Sequence, residues 1–556
     1  MENIVEKRTC RKCNKEFPIY EEDQEFYESL KIPGPTHCSR CRQKRRLLWR
    51  NERNLYKRKC GGTGKNILSV YSSEKKFPVY DTEYWYSDKW DALEYGQDFD
   101  FNKPFFEQFQ ELMNKVPQLA RSVVNNQNCD FVNQCGWSKN CYLIFEADFN
   151  ENCMYSNNIY DSKYSIDMYL SFKCELCYEC INCKNCYNLI FSQNCDNCSD
   201  SWFLKNCIGC GNCYGCVNLR NKQYYYLNEK YSKEEYKNKI KNLNIQTYKE
   251  LKTARQNFQK YTKNFPQKYY NGTHNENSTG DYISNTQRCK NCFEVDHAQD
   301  CKYVFNSRHI KKTYDMTVFG SHNGAEYCCE NHEIGDGVRN ILFSDQVWIG
   351  CYDIYYSKLC VQNCHNLFGC IGLKHQNHCI FNKKYEKEEY EKLKNRIIEH
   401  MKKTGEWGEF FPKEIVPFAY NETTAQDYYP LTKEKALEQG YKWKDPDPKE
   451  YLPQKYEIPE LIEDVPDTIL NEILACEECR KNYKLQQEEL KFYRRIKLPV
   501  PKKCFKCRHK YRFSLKNPRI LYDRNCQKCG ENIKTTYSPN MPELVYCEKC
   551  YLESIK

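Results

Sequence analysis

Leu176–Val217 reads LCYECI NCKNCY NLIFSQ NCDNCS DSWFLK NCIGCG NCYGCV when broken into sixes, with Asn recurring in the first place and Cys or a small or apolar residue in the second. The same frame runs through Asn128–Asn157 as NCDFVN QCGWSK NCYLIF EADFNE NCMYSN. Every cysteine from Cys129 to Cys216 stands at a position divisible by three. A short fixed period with columns of like residues is the pattern of a parallel β-solenoid, in which each coil stacks its side chains on the coil below. Small cysteines are expected to fill its interior and asparagines to ladder at its corners. The period alone sets neither the handedness nor the number of residues per coil.

A second copy follows. Gly215-Cys216-Val-Asn-Leu219 and Asn228 through Tyr236 recur as Gly369-Cys370-Ile-Gly-Leu373 and Asn382 through Tyr390, both at an offset of 369 − 215 = 390 − 236 = 154. Each copy runs into Tyr-x-Lys-Glu-Glu-Tyr, a charged helix that would close the open edge of its sheet. Ahead of the first copy, Phe105, Phe106, Phe109, Leu112, Met113 and Val116 mark one helical face between Pro104 and Pro117, which predicts an N-terminal cap for that solenoid.

The two ends of the chain repeat each other without a gap. Cys10-x-x-Cys13 and Cys38-x-x-Cys41 return as Cys476-x-x-Cys479 and Cys504-x-x-Cys507, since 476 − 10 and 504 − 38 are both 466. At that offset Phe26-Tyr27 meets Phe492-Tyr493, Pro33 and Pro35 meet Pro499 and Pro501, and Cys60 meets Cys526. The C-terminal copy continues with Cys526-x-x-Cys529 and Cys547-x-x-Cys550, where the N-terminal copy has Thr63, Asp81 and Tyr84 in place of the last three. A two-residue spacer lets a tight turn aim two sulfurs at one ion, and two such turns complete a tetrahedral thiolate site. Three structural zinc ions are therefore expected, on Cys10, Cys13, Cys38 and Cys41, on Cys476, Cys479, Cys504 and Cys507, and on Cys526, Cys529, Cys547 and Cys550. With four protein ligands each, none leaves a position open for catalysis.

The stretch Cys-x-x-Cys, Phe26-Tyr27, Pro-x-Pro-Thr-x-Cys38-x-x-Cys41-Arg resembles small four-cysteine zinc-ribbon modules of undefined function, and the whole chain is similar to large cysteine-rich proteins of candidate-phyla bacteria. The resemblance covers about 40 residues per copy. It implies metal binding and supplies no activity.

Thirty-eight cysteines in 556 residues would fit a secreted disulfide scaffold, but the charged start, Met1-Glu-Asn-Ile-Val-Glu-Lys-Arg8, has no apolar run. With no apolar window of membrane-spanning length and a mean hydropathy of −0.90, the chain is expected in the cytoplasm, away from membranes, its thiols reduced and free to hold metal. The net charge of +10 is modest, but its distribution is not. Arg40, Arg42, Lys44, Arg45, Arg46, Arg50, Arg53, Lys57, Arg58 and Lys59 follow the first cysteine set, interleaved with Trp49 and Tyr56. Lys502, Lys503, Lys506, Arg508, Lys510, Arg512, Lys516 and Arg519 repeat the theme with Phe505, Tyr511 and Phe513. Cations neutralise phosphates and rings stack on unpaired bases, so Arg42, Arg45, Arg46, Arg50, Arg508 and Arg512 are candidates for contact with RNA or single-stranded DNA. The competing reading is a charged face tied down by an acidic helix with Glu460, Glu463, Asp464 and Asp467.

Other signals are weaker. The run Cys174-x-x-Cys177-x-x-Cys180-x-x-Cys183-x-x-Cys186 has ferredoxin-like spacing without the closing Cys-Pro, and the frame continues through Ser, Leu and Ala, which favours interior packing over an iron–sulfur cluster. His322, Cys328, Cys329 and His332, or Cys370, His375, His378 and Cys379, would make mixed metal sites only with irregular spacing. Gly61-Gly-Thr-Gly64-Lys65 lacks the first glycine and the Ser/Thr of a phosphate loop. No nucleophile elbow, HExxH or Rossmann glycine set is present, which points away from an enzyme.

The expected organisation is mainly β: a zinc module with a degenerate second ribbon over 1–103, a capping helix over 104–127, solenoids over 128–230 and 284–382, helical segments over 231–283 and 383–403, a proline-broken connector over 404–465, and a double zinc module over 466–556. Three functions remain open at this point: an RNA- or ribonucleoprotein-contacting zinc protein, a protein-interaction scaffold built on the solenoid, and an iron–sulfur or other redox metalloprotein.

Overall fold

A computed structural model describes residues 3–319, 323–446 and 450–555. The chain is mainly β, and both predicted solenoids are present. In the first, four-residue parallel strands follow one another at intervals of 12 residues, with Asn157 facing Phe145 on one side and Tyr169 on the other. The second opens in the same 12-residue register, Gly280 facing Cys292, and lengthens to 13 where Ile334 faces Val347 and Val347 faces Cys360.

The three-residue beat has a backbone cause. From Asn125 to Leu227 every third residue has a positive φ, between 45° and 66°, so each coil is four short sides joined by four left-handed corners. Asn tolerates that conformation better than other side-chain-bearing residues, which is why it fills the corner columns. There its amide bonds to the coil below: Asn128 Nδ2 donates to Asn140 Oδ1 at 2.9 Å, and Asn182, Asn194, Asn206 and Asn218 continue such a ladder at 3.0–3.2 Å.

Positions divisible by three point inward. Cys174, Cys177, Cys180 and Cys183 are fully buried, and each thiol donates to the carbonyl two residues before it and most also to the one nine residues after it. Serine takes the same place with the same bond, as at Ser171, whose Oγ donates to Tyr169 O at 3.1 Å. Cys183→Ser is therefore expected to change stability by no more than about 1 kcal/mol. Leu189→Ala, half a coil on, should cost about 2–5 kcal/mol, because it leaves a void that nothing fills. Urea midpoints of the two variants separate the cases.

The chain forms two units that cross its linear order: Met1–Arg121 with Tyr270–Asp445, and Ser122–Tyr269 with Pro446–Lys556. The N-terminal module thus shares a unit with the second solenoid, and the C-terminal modules share one with the first. Both solenoid ends turn back on themselves. Lys383–Lys384 pairs antiparallel with Asn377–Ile380 before the helix Lys387–Thr404 buries Tyr390, and Glu229–Lys230 does the same before Lys233–Lys241 buries Tyr236.

The helix Phe105–Lys115, expected as a cap to the first solenoid, packs on the last coils of the second, with Phe105 against Tyr356, Phe368 and Phe381. The proline-broken connector 404–465 is largely irregular, as its prolines suggest, but much of it is packed against the fold. Its aromatic residues lie between the prolines and find apolar faces: Phe411 meets Trp49, and Phe418 stacks on Tyr71 at 5.1 Å. Ile458, Ile462 and Val465 join the core of the other unit; Pro448 lies outside the described residues. Among the described residues no helix is long and apolar enough to cross a membrane.

Candidate metal centres

The strands Ile4–Thr9 and Glu16–Tyr20 pair antiparallel around a tight turn holding Cys10 and Cys13. Cys10 N donates to Lys15 O and Asn14 N to Cys10 O, both at 2.9 Å, and Asn14 closes the turn at φ 56°. The second pair comes from a helix: Cys38 caps the N-terminus of Ser39–Leu47 and Cys41 lies in its first turn. The positive end of a helix favours thiolates placed there. The C-terminal copy is built alike, with Arg480 at φ 63° and Cys504 capping Phe505–Ser514, and the third set places Gly530 at φ 80° and Cys547 at the cap of Glu548–Ser554.

Within each set all four sulfurs lie within 4.8 Å of one another. Cys13–Cys38, Cys479–Cys504 and Cys529–Cys547 are separated by 3.8, 3.7 and 3.8 Å. A tetrahedron with arms of 2.3 Å, the zinc–thiolate length, has an edge of about 3.8 Å, so the residues fit a tetrahedral ion. One thiol in each set is also held low. Hydrogen bonding from Cys41 brings Cys38 down to about 5. Burial would raise Cys476 and Cys526, but backbone N–H groups, those of Cys479 and Cys504 for the first and of Cys547 and Cys529 for the second, outweigh it and bring them to about 7 and about 6. All twelve cysteines singled out from their spacing fall into these three groups.

The degenerate copy keeps the frame of the third site. Cys60 N donates to Lys65 O at 2.8 Å as Cys526 N does to Glu531 O at 2.7 Å, and Gly64 at φ 72° matches Gly530. Asp81 N donates to Cys60 Sγ at 3.4 Å as Cys547 N does to Cys526 Sγ at 3.3 Å. The ring of Tyr84, which stands where Cys550 would, fills the space: a methyl on Gly62 would come within 2.2 Å of it. Restoring three thiols by Thr63→Cys, Asp81→Cys and Tyr84→Cys is expected to raise the metal content by one ion per chain, measurable by elemental analysis.

The basic runs lie elsewhere than expected. Arg42, Arg46, Arg50, Arg508 and Arg512 are buried and Arg45 nearly so, all in ion pairs. On the helix Ser39–Leu47, Arg42 and Arg46 grip the two oxygens of Asp315 at 2.9 and 3.2 Å, and Arg46 reaches Glu330 at 3.3 Å. Arg45 bridges Glu330 and Glu409 at 3.0 and 2.8 Å, and Arg50 pairs with Glu333 and Glu52. On Phe505–Ser514, Arg508 and Arg512 grip Asp167 at 2.8 and 2.7 Å, and Arg508 also reaches Glu489. Even the backbone contact is repeated, Arg42 Nη1 donating to His37 O and Arg508 Nη1 to Lys503 O. Asp167 and Asp315 both occupy left-handed solenoid corners, at φ 59° and 55°.

The interleaved rings also turn inward. Trp49 lies on Phe411, Phe505 stacks on Tyr155 at 5.7 Å, and Phe513 meets Tyr169 at 5.9 Å. The six arginines proposed to contact nucleic acid therefore have their charges spent inside the protein, because each helix lies with that face on an acidic solenoid corner. The acidic segment suggested as a counterweight meets the C-terminal run in one pair, Glu460 with Lys502, while Asp467 pairs with Arg494 outside it and the six arginines find solenoid and other carboxylates. The missing clue was available: arginines four residues apart in both copies mark one face of a helix.

Among the described residues neither mixed set brings three ligand atoms together. His332 Nδ1 lies 2.6 Å from Asp345 Oδ1, and His322 is outside the described residues. Cys370 and Cys379 donate to Phe368 O and Asn377 O, and His378 lies against the Tyr390 ring. Among the described residues only the three terminal sets bring three or more ligand atoms together.

Residues 6–47 match the family model described as a probable treble clef domain. A knuckle pair joined by a pair from a helix N-terminus, as found here, agrees with that description. No curated protein matches the chain.

Proposed function

We propose that this chain is a non-enzymatic zinc protein whose three zinc-held modules lock basic helices onto two solenoids, and that the solenoid surface left free serves as a scaffold for a protein partner. The observation that carries the reading is the burial of Arg42, Arg46, Arg508 and Arg512, two from each basic run, against solenoid carboxylates. A tetrahedral ion is supported by the four-thiolate sets, each closed by helix and knuckle, and zinc by the treble clef match over residues 6–47. The scaffold is supported by the first solenoid, where Trp137 and Phe149 are each 50% exposed and stacked at 5.2 Å. Tyr164, Tyr187 and Ile208 are exposed as well, and Trp137, Phe149 and Tyr164 stand on left-handed corners in columns other than that of Asp167. The stacked pair Trp137–Phe149 is the contiguous part of this surface and the place where a partner's apolar group would gain contact.

An RNA contact would have to use the cations that remain exposed, such as Arg11, Lys12, Arg40, Lys506 and Lys510. Anisotropy of a labelled single-stranded RNA tests this. The scaffold reading expects no binding that weakens steeply between about 50 and 200 mM salt; micromolar binding with such a slope would return RNA to first place.

A further inference from the structure

Eleven cysteines lie inside four successive coils of the first solenoid, from Cys174 to Cys216, and all are buried. They belong to one packed interior cluster in which Cys174, Cys177, Cys180, Cys183 and Cys186 close a ring and the others extend from it as a branch, with no four gathered around one point. Cys177 is within hydrogen-bonding reach of Cys174 and Cys180, Cys180 of Cys183, and Cys186 of both Cys174 and Cys183. The branch goes on through Cys195 and Cys198 to Cys210, which reaches Cys207 and Cys213, and from Cys213 to Cys216. Neighbouring pairs are close, yet no three interior sulfurs converge as the terminal sets do. That excludes a tetrahedral four-thiolate ion and suits one that takes two sulfurs in a line. Soft thiolates select soft monovalent ions such as Cu(I).

Charge and hydrogen bonding agree. Every one of these sulfurs has at least one sulfur neighbour, so one Cu(I) can replace one thiol proton, R–SH + Cu⁺ giving R–S–Cu + H⁺, with a neighbouring sulfur completing the pair of ligands on each ion. No electron moves, and the core stays neutral, which a dry interior requires. The displaced protons are expendable. Cys174 Sγ donates to Phe172 O and Cys183 O, but those carbonyls already accept Asn185 N–H at 3.0 Å and Phe172 N–H at 2.9 Å.

We propose that the thiol cluster from Cys174 to Cys216 is a binding site for Cu(I), separate from the three terminal metal centres. Because the thiols are sealed, the test loads them during folding: reduced, denatured chain is refolded without oxygen in the presence of Cu(I) bicinchoninate, desalted, and analysed for copper. The comparison is the variant C174S/C177S/C180S/C183S, whose serines occupy positions serine already takes elsewhere in the coil. The natural chain is expected to retain about four more copper ions than the variant, at matched far-ultraviolet dichroism. Equal copper in both would overturn the proposal, since any copper held would then sit on the terminal cysteines. If that variant does not regain its dichroism, C183S/C195S/C207S, one column continuing from Ser171, serves in its place with an expected difference of about three ions. Zinc content without copper is a separate measurement, so failure here leaves the terminal sites untouched.

Discussion

Asp167→Ala is expected to destabilise the unit that carries the C-terminal modules by about 3–5 kcal/mol, and Asp315→Ala to do the same in the other unit. The cost comes less from the lost attraction than from what stays behind. Arg508 and Arg512 are almost wholly buried, and Asp167 is their shared counter-charge. Without it two guanidinium groups remain desolvated and nearly unpaired. Asn at either position should recover little, because it keeps the shape and loses the charge. Replacing the whole set, for example Arg508→Met, Arg512→Leu, Asp167→Leu and Glu489→Gln together, is expected to cost far less than the single change, because the guanidinium groups and the carboxylates that pair with them are then removed together. Urea unfolding checks this, read as two transitions where the units unfold separately.

The second large effect is metal removal. Cys38 and Cys41 fix the first turn of the helix whose next turn carries Arg42 and Arg46. Structural zinc contributes about 10–16 kcal/mol of apparent binding energy in small zinc modules, and that energy is folding energy. A strong chelator, or Cys38→Ser, is expected to unfold the N-terminal module and release its arginines. The solenoid, held by its own backbone ladder and interior, should keep its β dichroism. Limited trypsin digestion reads the difference: cleavage after Arg42, Arg45 or Arg46 should be negligible with metal and rapid without it. Cleavage that is equally fast in both states would mean that metal does not hold the clamp.

The solenoid, its triplet period and the three cysteine sets were legible because each rests on a local rule. Interior positions demand small side chains, left-handed corners favour Asn, and two-residue spacers aim sulfurs at one ion. What could not be read was which long-range surface each basic helix meets. Arg42 and Asp315 are 273 residues apart, and nothing local distinguishes an arginine that faces water from one that faces a carboxylate. The same limit applies to Phe105–Lys115, whose apolar face was plain while its docking partner was not. The crossed pairing of modules and solenoids likewise follows from tertiary contacts alone. The 12-residue coil was within reach, since four corners of three residues make one turn, but the beat of three does not say how many sides a coil has.

The most direct test of the account is elemental analysis of protein purified without added metal and without oxygen. It is expected to give about three zinc ions per chain, falling by one in Cys38→Ser, with little iron. Iron in place of zinc, or a zinc content that Cys38→Ser leaves unchanged, would contradict it.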